Sequence, residues 1–236
     1  MKYIKKGHPP SELIKIHKDK TKTYDNDVCD NKKINPKITV KSDTLKSLMK
    51  EQGYICCYCM QKISIDNLTS ASPLYPTIEH YIAQTTQESK DNNLDTDYKN
   101  MLATCHGNDK KDPDNKHCDS SRGSQPFKYL NPLYISCERV LGYAPDGSIF
   151  CLDDSHKTEI EYDIGILNLN FQKLKDSRKS IIDGLKKVIK CKRNKIQFKK
   201  EALEKYKLSS SKIFEPFVQV KIYELKKGLG TVIKGL

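Results

Sequence analysis

Between Tyr54 and Arg122 the chain reads Cys56-Cys57-Tyr58-Cys59, then Ile78-Glu79-His80, then Asn100-Met101-Leu102-Ala103-Thr104-Cys105, and finally His117-Cys118-Asp119-Ser120-Ser121-Arg122. Two cysteine pairs bracket an acid–histidine dipeptide and an asparagine five residues before the third cysteine. A structural zinc takes four soft or borderline ligands in a tetrahedron, commonly from two knuckles that each supply a pair. Cys56 and Cys59 have knuckle spacing. Cys105 has Asn108 where its partner would stand, and the next cysteine is Cys118. The expectation is a second knuckle opened by an insertion, so that Cys56, Cys59, Cys105 and Cys118 form a four-cysteine site for structural Zn²⁺. His106 and His117, each beside a cysteine, are alternative ligands. A redox role for Cys56 and Cys59 would want a surrounding βαβ pattern, which is missing.

His80 is the candidate general base. Hydrolysis of a phosphodiester needs a water deprotonated near neutral pH, within the natural range of imidazole. It also calls for a divalent cation to offset charge developing on the leaving oxygen. Glu79 and Asp119 are hard oxygen donors suited to Mg²⁺ or Mn²⁺.

The chain of 236 residues is long enough to bury a sizeable core, although 36% is hydrophobic and 31% charged. No apolar run approaches the roughly 18 residues of a membrane span, and no apolar stretch follows the N-terminal lysines as in a signal peptide. These features imply a soluble, cytoplasmic protein without membrane association. In a reducing compartment Cys-x-x-Cys is a metal pair more often than a disulfide precursor. The other five cysteines, Cys29, Cys57, Cys137, Cys151 and Cys191, read as small apolar residues. The net charge of +12 is uneven: residues 171–236 hold nineteen Lys or Arg against six Asp or Glu. A segment that basic has nucleic-acid phosphate as its natural partner, although a solvated lysine-rich surface would have the same composition.

Residues 1–41 read as an irregular, partner-contacting arm, with a short helix after Pro9-Pro10 capped by Ser11 and a loop from His17 to Lys33. Residues 42–133 form the core. A helix opens at Ser42-Asp43-Thr44, buries Leu45, Leu48 and Met49, and stops at Gly53. Asn67, Pro73 and Pro76 mark loops, Thr77–Ile82 has strand character, residues 84–97 form a polar surface connection, and Tyr98–Cys105 enters the second knuckle. Residues 134–236 open with a hairpin about Ala144-Pro145-Asp146-Gly147. Helical spacing follows from Ile164 through Leu174, Ile181-Ile182, Leu185 and Val188-Ile189, with a break at Ser209–Ser211 and a last segment after Glu215-Pro216. The fold class expected is α+β: a zinc-stapled core within a mainly helical protein whose C-terminal half is basic.

These motifs resemble the HNH (ββα-metal, or His-Me finger) endonucleases over about residues 42–130, and most of all the branch found as effectors of bacterial retrons and as the B component of the Septu anti-phage system. That pattern runs Cys-x-x-Cys, Asp/Glu-His, then Asn-Leu-x-x-x-Cys-x-x-Cys-His-x-x-Lys. Weaker likeness extends to Ile4-Lys5-Lys6-Gly7 and Ile166-Leu167-Asn168-Leu169-Asn170. By this resemblance His80 is the base, Asn100 fixes the loop and orients the base, Glu79 and Asp119 flank the catalytic metal, and Arg122 serves phosphate where Lys is usual. Asp119 departs from the usual His or Asn, and the twelve residues between Cys105 and Cys118 leave Asn108 or Asp109 as alternative ligands. The resemblance implies cleavage of DNA or RNA together with a partner ATPase and, in retrons, a reverse transcriptase with its multicopy single-stranded DNA. The chain has no phosphate-binding Gly-x-x-x-x-Gly-Lys-Ser/Thr loop, so an ATPase must be another subunit. The basic helices would bind substrate or that partner. The competing reading is a non-catalytic zinc-containing nucleic-acid-binding module, which leaves Glu79, His80 and Asn100 without work.

Overall fold

The structure, a computed structural model, describes residues 1–29, 39–65, 75–107, 115–208 and 213–230. Helices dominate, and the strands form two small antiparallel pairs, so the α+β class is observed. Asn67, Pro73, Asn108, Asp109 and Ser209–Ser211 lie outside the described residues.

Helix α1 spans Ser11–Lys18 and α2 spans Val40–Glu51. Ser11 is the first helical residue of α1 and caps nothing; Pro10 holds the N-cap position. Proline suits that boundary because the helix start has no use for its missing N–H. Helix α2 begins two residues before the expected start, because Thr39 and Ser42 form a reciprocal capping box: the Thr39 hydroxyl accepts from Ser42 N and the Ser42 hydroxyl from Thr39 N. Val40, Thr44, Leu45, Leu48 and Met49 make its buried face. After Gln52 the chain turns through Gly53 and Tyr54, both at positive φ, and a side chain on Gly53 would collide with the Phe214 ring.

Strand β1 (Thr77–His80) pairs with β2 (Met101–Thr104), setting Glu79 opposite Leu102 and His80 opposite Met101. The outer edge of β2 is completed by a side chain. The Gln52 amide donates to Ala103 O at 2.7 Å and accepts from Ala103 N at 2.7 Å, standing in for a third strand. Between the strands lies α3 (Gln87–Asn92), a helix within the stretch expected to be a plain surface connection. After β2 comes a single helical turn, α4 (Asp119–Arg122).

The expected hairpin is β3 (Leu141–Tyr143) and β4 (Ile149–Cys151), turned at Ala144–Gly147 with Gly147 at φ 86°. Helicity resumes before Ile164, with α5 at Lys157–Ile166, followed by α6 (Gln172–Lys190), α7 (Lys195–Leu208) and α8 (Val218–Lys226). Buried Asp163 on α5 accepts the backbone N–H groups of Lys128, Tyr129 and Leu130, which ties the segment after α4 to the helical region. The N-terminal arm is less irregular than expected. Met1 and Ile4 are buried, the Met1 ammonium donates to the Tyr143 hydroxyl, and a π-helical turn at Tyr24–Cys29 buries Tyr24 and Val28. One apolar cluster runs from Met1 to Val220 through all three sequence segments. Of the five remaining cysteines Cys57 and Cys137 are buried as expected, whereas Cys191 is exposed.

Candidate metal centre and adjoining histidine site

Cys56 and Cys59 sit on a tight hairpin. Ile55 bridges Lys62, Cys56 N donates to Gln61 O, and Met60 reaches positive φ so that Gln61 N approaches Cys59 Sγ at 3.5 Å. The second pair comes from distant chain. Cys105 follows β2, and Cys118 follows His117, whose N–H donates to Gly107 O across the insertion. Gly107 lies at φ 58°, and an added Cβ would run into the His117 carbonyl. That closure lets the long insertion leave the pair intact. Cys118 is further held by its N–H to Leu167 O, and the Asn168 amide holds Lys116 O.

The four buried sulfurs lie within 4.8 Å of one another, and Cys56–Cys118 and Cys59–Cys105 are 3.8 and 3.7 Å apart. Four sulfurs at about 2.3 Å from a central zinc have edges of about 3.8 Å. The donor set therefore fits a metal ion such as zinc. Burial pushes the Cys118 thiol up. Cys56 falls well below the ordinary thiol range despite its burial, because neighbouring cysteines hydrogen-bond to its sulfur. His117 stacks on Phe171 with Nδ1 3.3 Å from Cys118 Sγ, beside the group, while His106 is half-buried. Arg178 is buried nearby, its Nε and Nη2 on the carbonyls of Gly147 and Leu169, where its charge opposes that of Cys59 and Cys118.

His80 and Glu79 lie at the end of β1 and are both buried. His80 Nε2 stands 2.8 Å from Asp95 O. A carbonyl only accepts, so Nε2 carries the proton and Nδ1 keeps its lone pair. Burial pulls the His80 pKa below its usual value, partly opposed by the bond to Asp95 and the charge of Asp119. Tyr24 closes edge-on against the ring at 4.6 Å. Asn100 places Asp95: its Oδ1 accepts from Ile82 N, and its Nδ2 donates to Ile82 O and Leu94 O, at 2.8–3.0 Å. Both ends of the segment between β1 and β2 are thus tied to one amide.

Glu79 Oε1 accepts from the Tyr58 hydroxyl at 2.8 Å and from Arg122 Nη1. Its carboxyl is pushed well up, first by burial and then by the charge of Asp119, against the pull of Arg122. Asp119, half-buried at the start of α4, is close enough to act electrostatically on Glu79, His80 and Tyr24. Arg122 corrects an expectation. Its side chain is 1% exposed, bonded to Glu79 and His80 O and laid over the Phe127 ring at 4.7 Å, so it is an internal counter-charge with no surface to offer phosphate. Its length and charge are spent inside because Glu79 is buried and needs a cation.

The fold therefore gathers Glu79, His80, Asn100 and Asp119 beside the four-cysteine group. Sequence reasoning missed Tyr58, although its place between Cys56 and Cys59 was a signal that it shares their fixed hairpin. It also missed Tyr24, inside a polar stretch with no signal, and the carbonyl of Asp95, which no side-chain pattern encodes. No protein-family model matches this chain, and no curated protein matches its sequence.

Proposed function

We propose that this chain is a metal-dependent endonuclease of the HNH type, hydrolysing phosphodiester bonds of DNA or RNA. The observation that carries the reading is His80: a buried imidazole fixed through Nε2 on Asp95 O, with Nδ1 left as the unprotonated nitrogen and Asp119 within electrostatic reach.

In this reading His80 Nδ1 takes a proton from water as the water oxygen attacks phosphorus, and the bond to the leaving oxygen breaks. Glu79 and Asp119 would hold Mg²⁺ or Mn²⁺, which supplies positive charge against the phosphate when bound. Asn100 acts through the loop, keeping Asp95 O on Nε2. Arg122 sets its positive charge against the burial and the Asp119 charge that push the Glu79 carboxyl up, and a zinc ion on the four cysteines would fix the hairpin that carries Tyr58. The role in anti-phage defence, with a partner ATPase and a reverse transcriptase with its multicopy DNA in the retron case, is part of the proposal and follows from the sequence resemblance.

Purified protein is incubated with plasmid DNA and with total RNA, with Mg²⁺ or Mn²⁺ or with EDTA, beside His80→Ala. Metal-dependent cleavage that His80→Ala abolishes supports the reading. A His80→Ala protein that binds and cuts as the parent does would sink it. Nucleic-acid binding retained in both proteins, without cleavage even after co-expression with the partner ATPase, would leave the zinc-containing binding module.

A further inference from the structure

Helices α6 and α7 form a hairpin whose near end is built into the core and whose far end is not. Leu174, Arg178 and Ile182 bury one face of α6, and Arg178 is anchored on Gly147 O and Leu169 O. From Arg178 to Lys190 the helix advances about 18 Å at roughly 1.5 Å per residue. Along that length burial ends: after Ile182 no residue through Lys200 is buried, and Val188 and Ile196 are 46% and 57% exposed. The return helix α7 contacts α8, and Lys199 Nζ donates to Lys227 O there.

The far end is also a patch of one sign. Between Gly184 and Lys200 there are eight cations, Lys186, Lys187, Lys190, Lys192, Arg193, Lys195, Lys199 and Lys200, and no acid. The ion pairs of α6 fall toward its start, Lys175 with Asp146 and Lys179 with Asp183. A helical hairpin gains nothing in stability from so many like charges at adjacent turns, since they repel. A polyanion relieves that repulsion.

We infer that the α6–α7 tip is a second nucleic-acid site, a sequence-independent clasp on the phosphate backbone separate from the His80 centre. The inference rests on the nuclease reading only for the class of polymer. Phosphate backbone fits better than a lipid surface because the exposed large apolar residues of the tip are only Val188 and Ile196, while its aromatic, Phe198, is half-buried under Lys192. Charge carries the choice of polymer: eight cations and no acid between Gly184 and Lys200 match a backbone with a negative charge at every unit. Their function is to hold substrate while the catalytic strand engages it, which raises local concentration without reading sequence.

The test uses the full chain carrying His80→Ala, in EDTA, so that binding is read without cleavage. Lys186, Lys187, Lys190, Lys192 and Arg193 are changed together to Gln, a good helix former. A control changes five scattered exposed lysines, Lys5, Lys20, Lys90, Lys99 and Lys157, to Gln. Affinity for a fluorescent duplex of about 30 base pairs, and for the same length of single strand, is measured from about 50 to 200 mM salt. The tip variant should bind at least about tenfold more weakly at about 100 mM salt. Its log–log salt slope on the duplex should fall by about 0.9 for each phosphate that is no longer neutralised, toward roughly 3 to 4.5 in all. The control should keep most of its affinity and slope. Equal weakening in both variants would assign the effect to net charge and overturn the clasp. Unchanged binding in the tip variant would overturn it as well, giving the tip to a protein or lipid partner. Cleavage by the His80-intact tip variant is scored separately, so the clasp and the nuclease fail independently.

Discussion

Replacing Arg122 by Met tests whether this arginine is a surface contact or the internal partner of Glu79. Arg122 is 2% exposed and Glu79 4%, and the cation also serves His80 O and the Phe127 face. Removing it strands the Glu79 carboxylate in the interior beside Asp119. Breaking a buried pair from one side costs about 3–5 kcal/mol. Met keeps most of the packing volume, so the loss is chiefly electrostatic. For a chain of this length each kcal/mol moves the melting temperature by about 2–4 °C, giving a fall of roughly 6–20 °C. Adding Glu79→Gln removes the stranded charge, and the double variant should regain about 1–3 kcal/mol relative to additivity. Melting is followed by circular dichroism at pH 7 with every protein at the same Zn²⁺ concentration, because bound metal shifts the transition. A surface arginine would cost less than about 0.5 kcal/mol. A melting shift below about 2 °C, or a double variant that recovers nothing, would refute the buried-pair argument.

Three further outcomes are expected. Cys118→Ala should lower zinc from about one ion per chain to near none and melt the protein early, whereas Cys57→Ala should keep its metal; equal zinc content by elemental analysis would contradict the ligand set. Asn100→Ala removes three hydrogen bonds to Ile82 and Leu94, leaves buried backbone groups unpaired at about 1–3 kcal/mol, and should accelerate amide exchange at Ile82. Protection there equal to the parent's would show that the amide does not hold the segment. For His80, the depressed pKa means the neutral base persists below pH 6.5. Cleavage should hold above the folded pKa and fall as pH drops through it, and stability should decline over the same window, between 6.5 and that lower value, since the unfolded chain takes up the proton first. An acid limb at or above 6.5 in the kcat/KM profile, or in the imidazole NMR titration, would contradict this.

Much of the site was legible because its members are chemically rare and closely spaced. Cys56-x-x-Cys59 dictates a knuckle, Glu79-His80 follows a β-branched run, and Asn100 opens the returning strand. Helix faces such as Leu45, Leu48 and Met49 were readable from period alone. Boundaries moved where side chains compete for backbone groups, as when Thr39 and Ser42 started α2 early and Pro10 took the cap from Ser11.

By itself the sequence put forward the four thiols as a donor set, with His106 and His117 as alternatives, and determined the acid–histidine pair, the α+β class and the concentration of positive charge after Phe171. Each of these depends on residue identity and short spacing, which the chain carries locally. Only the tertiary structure decided that Gly107 and His117 close the insertion so Cys118 can join Cys105, that Asp95 O selects the proton position on His80, and that Gln52 completes the strand edge. It also turned Arg122 inward and placed Met1 in the core. Those choices depend on which distant groups share a dry interior, where an unpaired charge or amide costs several kcal/mol and must find its partner wherever the fold brings one.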